Sequence, residues 1–503
     1  MSRATIRIEG GRIAVPRARD NGVRAFLGLP YAAPPVGPLR WRPPARVAAW
    51  PGVRSTDAFG PNSMQGVVFD DIDPTLAGVS EDCLYLNVWT AAPEAAKPAP
   101  VMVWIHSGAF AVGAGSEPRY DGGNLAARGI VVVTLNHRLN ALGFLAHPEL
   151  TAESPRRASG DYGLIDIVAA LAWVKRNIGA FGGDPAQVTL AGESAGAMAV
   201  SALMASPLAK GLFHRAIGES GALFESPTRA LDDLATAERE GRRFARKLGA
   251  TSLEALRRIP ARDVLAAAPG IGFFPIVDGY ALPRSPPETF AARAQNDVPL
   301  LAGWNKDEGF NFDVLAGPAA SKPFVAIIEE IFGERSGEAL AFYPAEPREA
   351  LLASARRLGG DMAIVHPTWA WLEAQKATGE ADVFRFRFDR APLTPEGWFG
   401  SRPSAEAGAF HAGELLYVFD NLGAFPWLTM ADDARIAALA SSCWVNFIKT
   451  GDPNGAGLPR WPSYREPGAP LFVIDAPPRV EREDDRARQE FLAGVKPSRA
   501  RLF

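Results

Sequence analysis

Cysteine is nearly absent from this 503-residue chain, which has only Cys83 and Cys443. Two thiols are too few for a disulfide framework or a zinc knuckle, leaving a reduced pair or at most one bridge. Charge of one sign is missing as well. Lys and Arg number 53 against 56 Asp and Glu, a formal net charge of -3. No field is left over to attract nucleic acid or an anionic lipid surface. No uncharged apolar run reaches the roughly 18 residues of a membrane span, and no repeat, low-complexity tract or charge block marks a linker. The opening MSRATIRIEGGRIAVPRARDNG lacks a signal peptide's apolar core, so a cytoplasmic location and one domain over 1–503 are expected. The composition, 47% hydrophobic and 22% charged, is that of a globular protein.

Proline, by contrast, is concentrated. Residues 30–51 carry seven, too many for a helix or a central strand, and read as an ordered surface loop pinned by Trp41 and Trp50. In CLYLNVW, Leu84, Leu86 and Val88 alternate against Tyr85, Asn87 and Trp89, a strand period. The segment 93–100 (PEAAKPAP) is then expected to turn the chain into the apolar run VMVWIH, 101–106. IVVVTL (130–135), VTLA (188–191), RAIGES (215–220), VPLLAGW (298–304) and VFRFRF (383–388) continue the strand series. Between them, Leu164, Ile167, Val168, Leu171, Val174 and Ile178 fall on one helical stripe that ends at Gly182-Gly183-Asp184-Pro185. Short apolar strands alternating with helices predict an α/β fold: a large, mostly parallel, buried sheet with helices on both faces. Ligands bind such a sheet beyond the C-terminal ends of its strands.

One of those ends reads Gly192-Glu193-Ser194-Ala195-Gly196 and runs straight into the Ala-rich AMAVSALMA. This is G-x-S-x-G in its strand–turn–helix setting. A serine hydroxyl is a weak nucleophile; the sharp turn lifts it clear of the sheet, where a base can activate it. Only six histidines exist: His106, His137, His147, His214, His366 and His411. The chain order serine, acid, histidine leaves the last three, and His214 precedes any acid-bearing strand end. His411, in the small-residue loop GAFHAGE, is favoured over His366, which sits at a segment boundary before Pro367. Asp307 and Glu308 follow the strand VPLLAGW, and position alone does not separate them. Either would hold the imidazole in the right tautomer. After VMVWI comes His106-Ser107-Gly108-Ala109-Phe110, where the N–H groups of Gly108 and Ala109 can join that of Ala195 to receive an oxyanion. Phe110, Phe273, Phe274, Phe310 and Phe410 lie near these loops and are candidates for an apolar gorge.

With these pieces in place, the chain resembles the type-B carboxylesterase/cholinesterase family, and within it the bacterial para-nitrobenzyl esterases. The likeness is carried by FLGLPYAAPPVGPLRW, EDCLYLNVW, WIHSGAF, LNHRLNALGFL, FGGDPAQVTLAGESAG, NKDEG, FHAGELLYVF and WVNFIKTGDPN. It implies an α/β-hydrolase fold with helical insertions over the active site, and hydrolysis of small to medium apolar esters through an acyl-enzyme. No metal or cofactor is implied, and the partner is a small-molecule ester. The resemblance puts the nucleophile on Ser194, the acid on Glu308, the base on His411 and the oxyanion donors on Gly108, Ala109 and Ala195. Glu193, Ser220 and Ser107 would stand around them. Ion pairs Arg40–Glu81 and Arg138–Asp166 are implied as fold-holding. Departures are also visible: Ser107 replaces a glycine beside the oxyanion hole, and Ser63 stands where relatives have the cysteine that pairs with the position of Cys83. Cys83 is therefore expected to be a free buried thiol, and Asn140 stands where a small residue is common. Carbamate, amide or thioester hydrolysis at the same site, and a non-catalytic interaction protein on the same fold, are the alternatives.

Overall fold

The computed structural model describes residues 4–67, 77–91, 97–316, 319–400, 402–425 and 431–498. Part of the turn expected over 93–100 lies outside them.

Ten strands form the main sheet. In chain order they are β1 (Arg24–Pro30), β2 (Tyr85–Thr90), β3 (Ala99–Ile105), β4 (Val131–Leu135) and β5 (Gly183–Glu193), then β6 (Arg215–Glu219), β7 (Leu300–Asn305), β8 (Val383–Phe388), β9 (Pro470–Ile474) and β10 (Arg479–Arg482). Their order across the sheet is β10-β9-β8-β7-β6-β5-β3-β4-β2-β1. The strands from β4 to β9 along that row are mutually parallel, and antiparallel strands close both edges. The sheet is thus mixed at its rims and parallel through its middle. β5 starts five residues earlier than VTLA, and a register shift between Gly183 and Val188 accommodates Pro185.

Alternation along the strands sorts side chains into two cores rather than into core and solvent. Val101, Val103 and Ile105 of β3 join one cluster with α1 (Tyr162–Asn177), α2 (Ala195–Ala205) and α3 (His366–Thr378). Met102 and Trp104 join the other, against α4 (Ala431–Thr450) through Ile436, Trp444 and Phe447. CLYLNVW follows the same rule: Leu86 and Val88 enter the first core while Trp89 enters the second. Its expected period is present, but both faces are buried, as a covered sheet requires. Arg385, alternating with the phenylalanines of VFRFRF, is 1% exposed and pairs with Glu483 at 2.5 Å.

Helical segments between β7 and β8 build a third cluster (Ile327, Ile328, Leu358, Met362) that packs against the turn after β7. The approach is close: a Cβ on Gly309 would fall 2.0 Å from the Arg356 carbonyl oxygen, so only glycine fits there. Trp41 anchors the proline-rich loop, 1% exposed and donating from its indole to the Ala141 carbonyl at 2.8 Å. Both implied ion pairs are present, with Arg40–Glu81 at 2.6 Å and Arg138–Asp166 at 2.7 Å. Cys83 and Cys443 are both buried and unpaired. Among the described residues no helix is long and apolar enough to cross a membrane.

Candidate active site

Ser194 sits between the end of β5 and the first turn of α2, with φ 54° and ψ -119°. A non-glycine residue held there is strained, and its surroundings over-determine it. Its N–H donates to the Glu219 carbonyl on β6 at 2.8 Å, and its carbonyl accepts from the Met198 N–H at 2.9 Å. The elbow also needs close backbone approach: a Cβ on Gly196 would lie 2.2 Å from the Ile105 carbonyl oxygen at the end of β3. The motif's second glycine is thus a packing requirement between helix and sheet.

Glu308 follows β7 in a single helical turn, Glu308–Phe310. One carboxylate oxygen accepts the Asn305 N–H at 2.8 Å, and the other lies 2.6 Å from His411 Nδ1. The opposite ring nitrogen, Nε2, is 2.9 Å from Ser194 Oγ. Asp307, one residue earlier, points elsewhere. Its carboxylate accepts the Ala409 N–H at 2.8 Å, and its own N–H donates to the Ala409 carbonyl at 3.0 Å. Asp307 thereby pins the loop that carries the histidine. Asn305 adds a second tie, donating from its side-chain amide to the Phe410 carbonyl at 2.7 Å and to Glu414 at 2.5 Å. His366 is remote from this group, 4% exposed and paired with Gln489 at 3.0 Å, and burial lowers its pKa to about 4.

Beside the elbow, Ala109 and Phe110 take positive φ (55° and 57°), turning the loop after β3 over the serine. The N–H groups of Gly108, Ala109 and Ala195 have no hydrogen-bond partner among the described residues. The Ser107 hydroxyl lies 2.7 Å from the Tyr120 hydroxyl, so this departure is tied into the wall of the site. Asn140 takes φ 46°, a conformation that asparagine tolerates better than most residues. Its N–H donates to the Phe110 carbonyl at 2.7 Å and its side-chain amide to the Met64 carbonyl at 2.9 Å. Asn140 is thus a brace under the loop that follows β3.

Four carboxyl groups crowd this region, with Glu193 and Glu219 at 0% exposure and Glu308 and Glu414 at 1%. Glu193 lies 3.2 Å from His411 Nε2. So many buried acids around one imidazole cannot all be ionised. Burial raises Glu193 and Glu219 well above the carboxylate range and Glu414 to about 7, the last helped by the Glu308 charge. Burial alone would lower His411, but the acids around the ring outweigh it and raise its pKa. Ser220 follows β6 with its N–H on the Gly303 carbonyl at 2.8 Å, while its buried hydroxyl has no partner among the described residues.

A cavity of about 330 Å³ opens onto Ser194 and His411. Phe274 and Phe410 line it as expected, whereas Phe110 packs inward on Phe144, Phe273 on Phe244 and Phe310 on Phe399. Phe312, Trp398 and Phe399, none of them singled out in the sequence, complete the aromatic wall. Glu414 and Asn305 were also missed, although Glu414 stands three residues after His411 in a motif already quoted. Their roles depend on contacts across about a hundred residues of sequence, which no local pattern displays.

A serine on a strained elbow, an imidazole within hydrogen-bond reach and a buried carboxylate behind it define the serine hydrolase class. The carboxylesterase family model matches residues 3–492, and the chain belongs to that family. It is 38% identical over 468 residues to fumonisin B1 esterase of Sphingopyxis macrogoltabida, covering 89% of this chain and 83% of that protein. To the para-nitrobenzyl esterase of Bacillus subtilis it is 36% identical over 499 residues, covering 94% and 95%. Solved structures agree. A PNB esterase superposes with TM-score 0.81 at 34% identity, covering 98% of this chain and all of that one. Carboxylesterase EST55 of Geobacillus stearothermophilus gives TM-score 0.83 at 36% identity, covering 97% of this chain and 100% of its own. The fold is the α/β-hydrolase fold, and the protein is a serine hydrolase of carboxylic esters.

Proposed function

We propose that Ser194 attacks the ester carbonyl while His411 takes its proton, that His411 then protonates the departing alcohol, and that water activated by the same imidazole releases the acid from the acyl-enzyme. In this reading Glu308 holds the neutral ring with its proton on Nδ1, and the N–H groups of Gly108, Ala109 and Ala195 receive the oxyanion. Glu193, Ser107 and Ser220 stand behind the reacting groups. The observation that carries the reading is the relay of 2.6 Å and 2.9 Å through the two ring nitrogens. Small to medium apolar esters suit the aromatic wall. A reducing, cytoplasmic setting is supported by the unpaired thiols; burial pushes Cys83 up to about 12, which keeps it protonated and inert.

The direct test is covalent. An organophosphate is expected to add one adduct per chain, mapped by peptide mass spectrometry to Ser194, with parallel loss of esterase activity. An adduct on another residue would overturn the assignment.

A second expectation concerns pH. The base must be neutral, so kcat/KM falls as pH drops through the His411 pKa. Because nearby carboxylates raise that pKa, the acidic limb is expected above the ordinary imidazole value of about 6.5. Burial already holds Glu193 protonated, so Glu193→Gln should leave the limb above that value, with Glu308 still on Nδ1 at 2.6 Å. A limb that starts below about 6.5, or that the substitution carries below it, contradicts this account.

A further inference from the structure

Three arginines line the cavity: Arg119, Arg229 and Arg402. Arg119 has a counterion, Glu117 at 3.1 Å. Among the described residues, Arg229 has none. Arg229 donates to the Ala363 carbonyl at 3.3 Å, touches Met198 Sδ at 3.8 Å and lies 5.7 Å from the Phe274 ring centroid. Arg402 donates to the Phe310 carbonyl and stacks on that ring at 3.8 Å. Among the described residues no carboxylate pairs with Arg229, whereas Asp313 and Glu406, both held by Arg356, also act on Arg402. Burial lowers the Arg229 pKa to about 10, so it remains cationic at neutral pH. A half-buried charge without a partner is costly, and hydrolysis of neutral alkyl esters does not call for one.

Its position is informative. Met198 lies one turn beyond Ser194 on α2, and Phe274 packs edge-on against Phe110 of the oxyanion loop at 5.0 Å. Arg229 therefore stands in the wall beside both the nucleophile and the oxyanion donors. A guanidinium presents five N–H donors in a planar fork that fits a carboxylate, and only the two contacts above occupy this one. Building on the esterase reading, we propose that the preferred substrates are esters that also carry a free carboxylate, received by Arg229, with Arg402 adding a second positive charge. The ester end is apolar and the far end anionic, matching a wall of aromatic rings with a cation set into it.

The test compares two methyl esters of one chain length, monomethyl adipate and methyl hexanoate, with free adipate as inhibitor. The native enzyme is expected to favour monomethyl adipate by about tenfold or more in kcat/KM, mainly through KM, the scale of one charge-assisted hydrogen bond. Arg229→Met should bring the ratio close to one, and Arg229→Lys should recover part of it. Adipate should compete with methyl hexanoate, and less effectively as salt rises. If Arg229→Met does not fold, the native ratio and adipate inhibition still decide the matter. A native ratio at or below one, a ratio unchanged by Arg229→Met, or no competition by adipate would overturn the proposal. Failure of the esterase reading looks different: both esters would then be hydrolysed as well by Ser194→Ala as by the native enzyme.

Discussion

Ser194→Ala is expected to lower kcat toward a p-nitrophenyl ester by about 10⁴- to 10⁶-fold, and His411→Ala to do the same, with the double variant losing little more than either alone. The non-additivity follows from the relay: without the hydroxyl the imidazole has no proton to take, and without the imidazole the hydroxyl is not activated. Residual turnover above the uncatalysed rate would come from the proposed oxyanion donors, whose geometry these changes leave alone. Glu308→Gln separates orientation from charge. Its amide can still accept the Asn305 N–H that Glu308 now takes at 2.8 Å, but it no longer stabilises the imidazolium and can present an N–H to Nδ1. A fall of about 10⁴-fold in kcat is expected. Steady-state rates of the three single variants and the Ser194/His411 double variant decide the matter. Losses that multiply would show that the two residues act independently and would remove the relay.

The strained serine elbow was legible because its signal is local. A buried strand, two glycines around one serine and a run of small helix formers occupy eighteen consecutive residues, 188–205. The geometry that those residues must adopt leaves few alternatives. Asp307 and Glu308 were not separable in the same way. They are adjacent acids after the same strand, and the difference arises only because the helical turn Glu308–Phe310 points one side chain at His411 while the other meets Ala409. The alternation in CLYLNVW was legible as a period but not as an environment. Two apolar cores, one on each face, leave the same period as one core facing solvent. The cavity wall was least legible. Phe273 and Phe274 are neighbours in sequence, yet one packs against the helix bearing Phe244 and the other faces the cavity. An arginine without a counterion is invisible until every carboxylate near it has been located.

Asp166→Ala is expected to be the most damaging single change outside the reacting groups. Asp166 is 0% exposed and accepts from the Arg138 backbone at 3.0 Å and from its guanidinium at 2.8 and 2.7 Å. Removing the carboxylate strands a buried guanidinium, which costs about 3–5 kcal/mol, far more than the net worth of the intact pair. The solvent-facing pair Arg176–Glu9 makes the internal control, with side chains 44% and 24% exposed. Glu9→Ala there should cost about 1 kcal/mol or less. Urea midpoints would read both, and equal shifts would contradict the distinction. Replacing both partners, Arg138→Met with Asp166→Leu, should recover most of the loss, because no charge is then left buried. Activity is expected to recover less fully. The segment after Arg138 carries Asn140, whose N–H supports the Phe110 carbonyl in the loop after β3. The ion pair also fixes where that segment leaves β4, through the Arg138 N–H itself. A double variant with native stability and a reduced kcat would therefore locate the function of this pair in positioning the loop, whereas full recovery of both would make it purely a folding device.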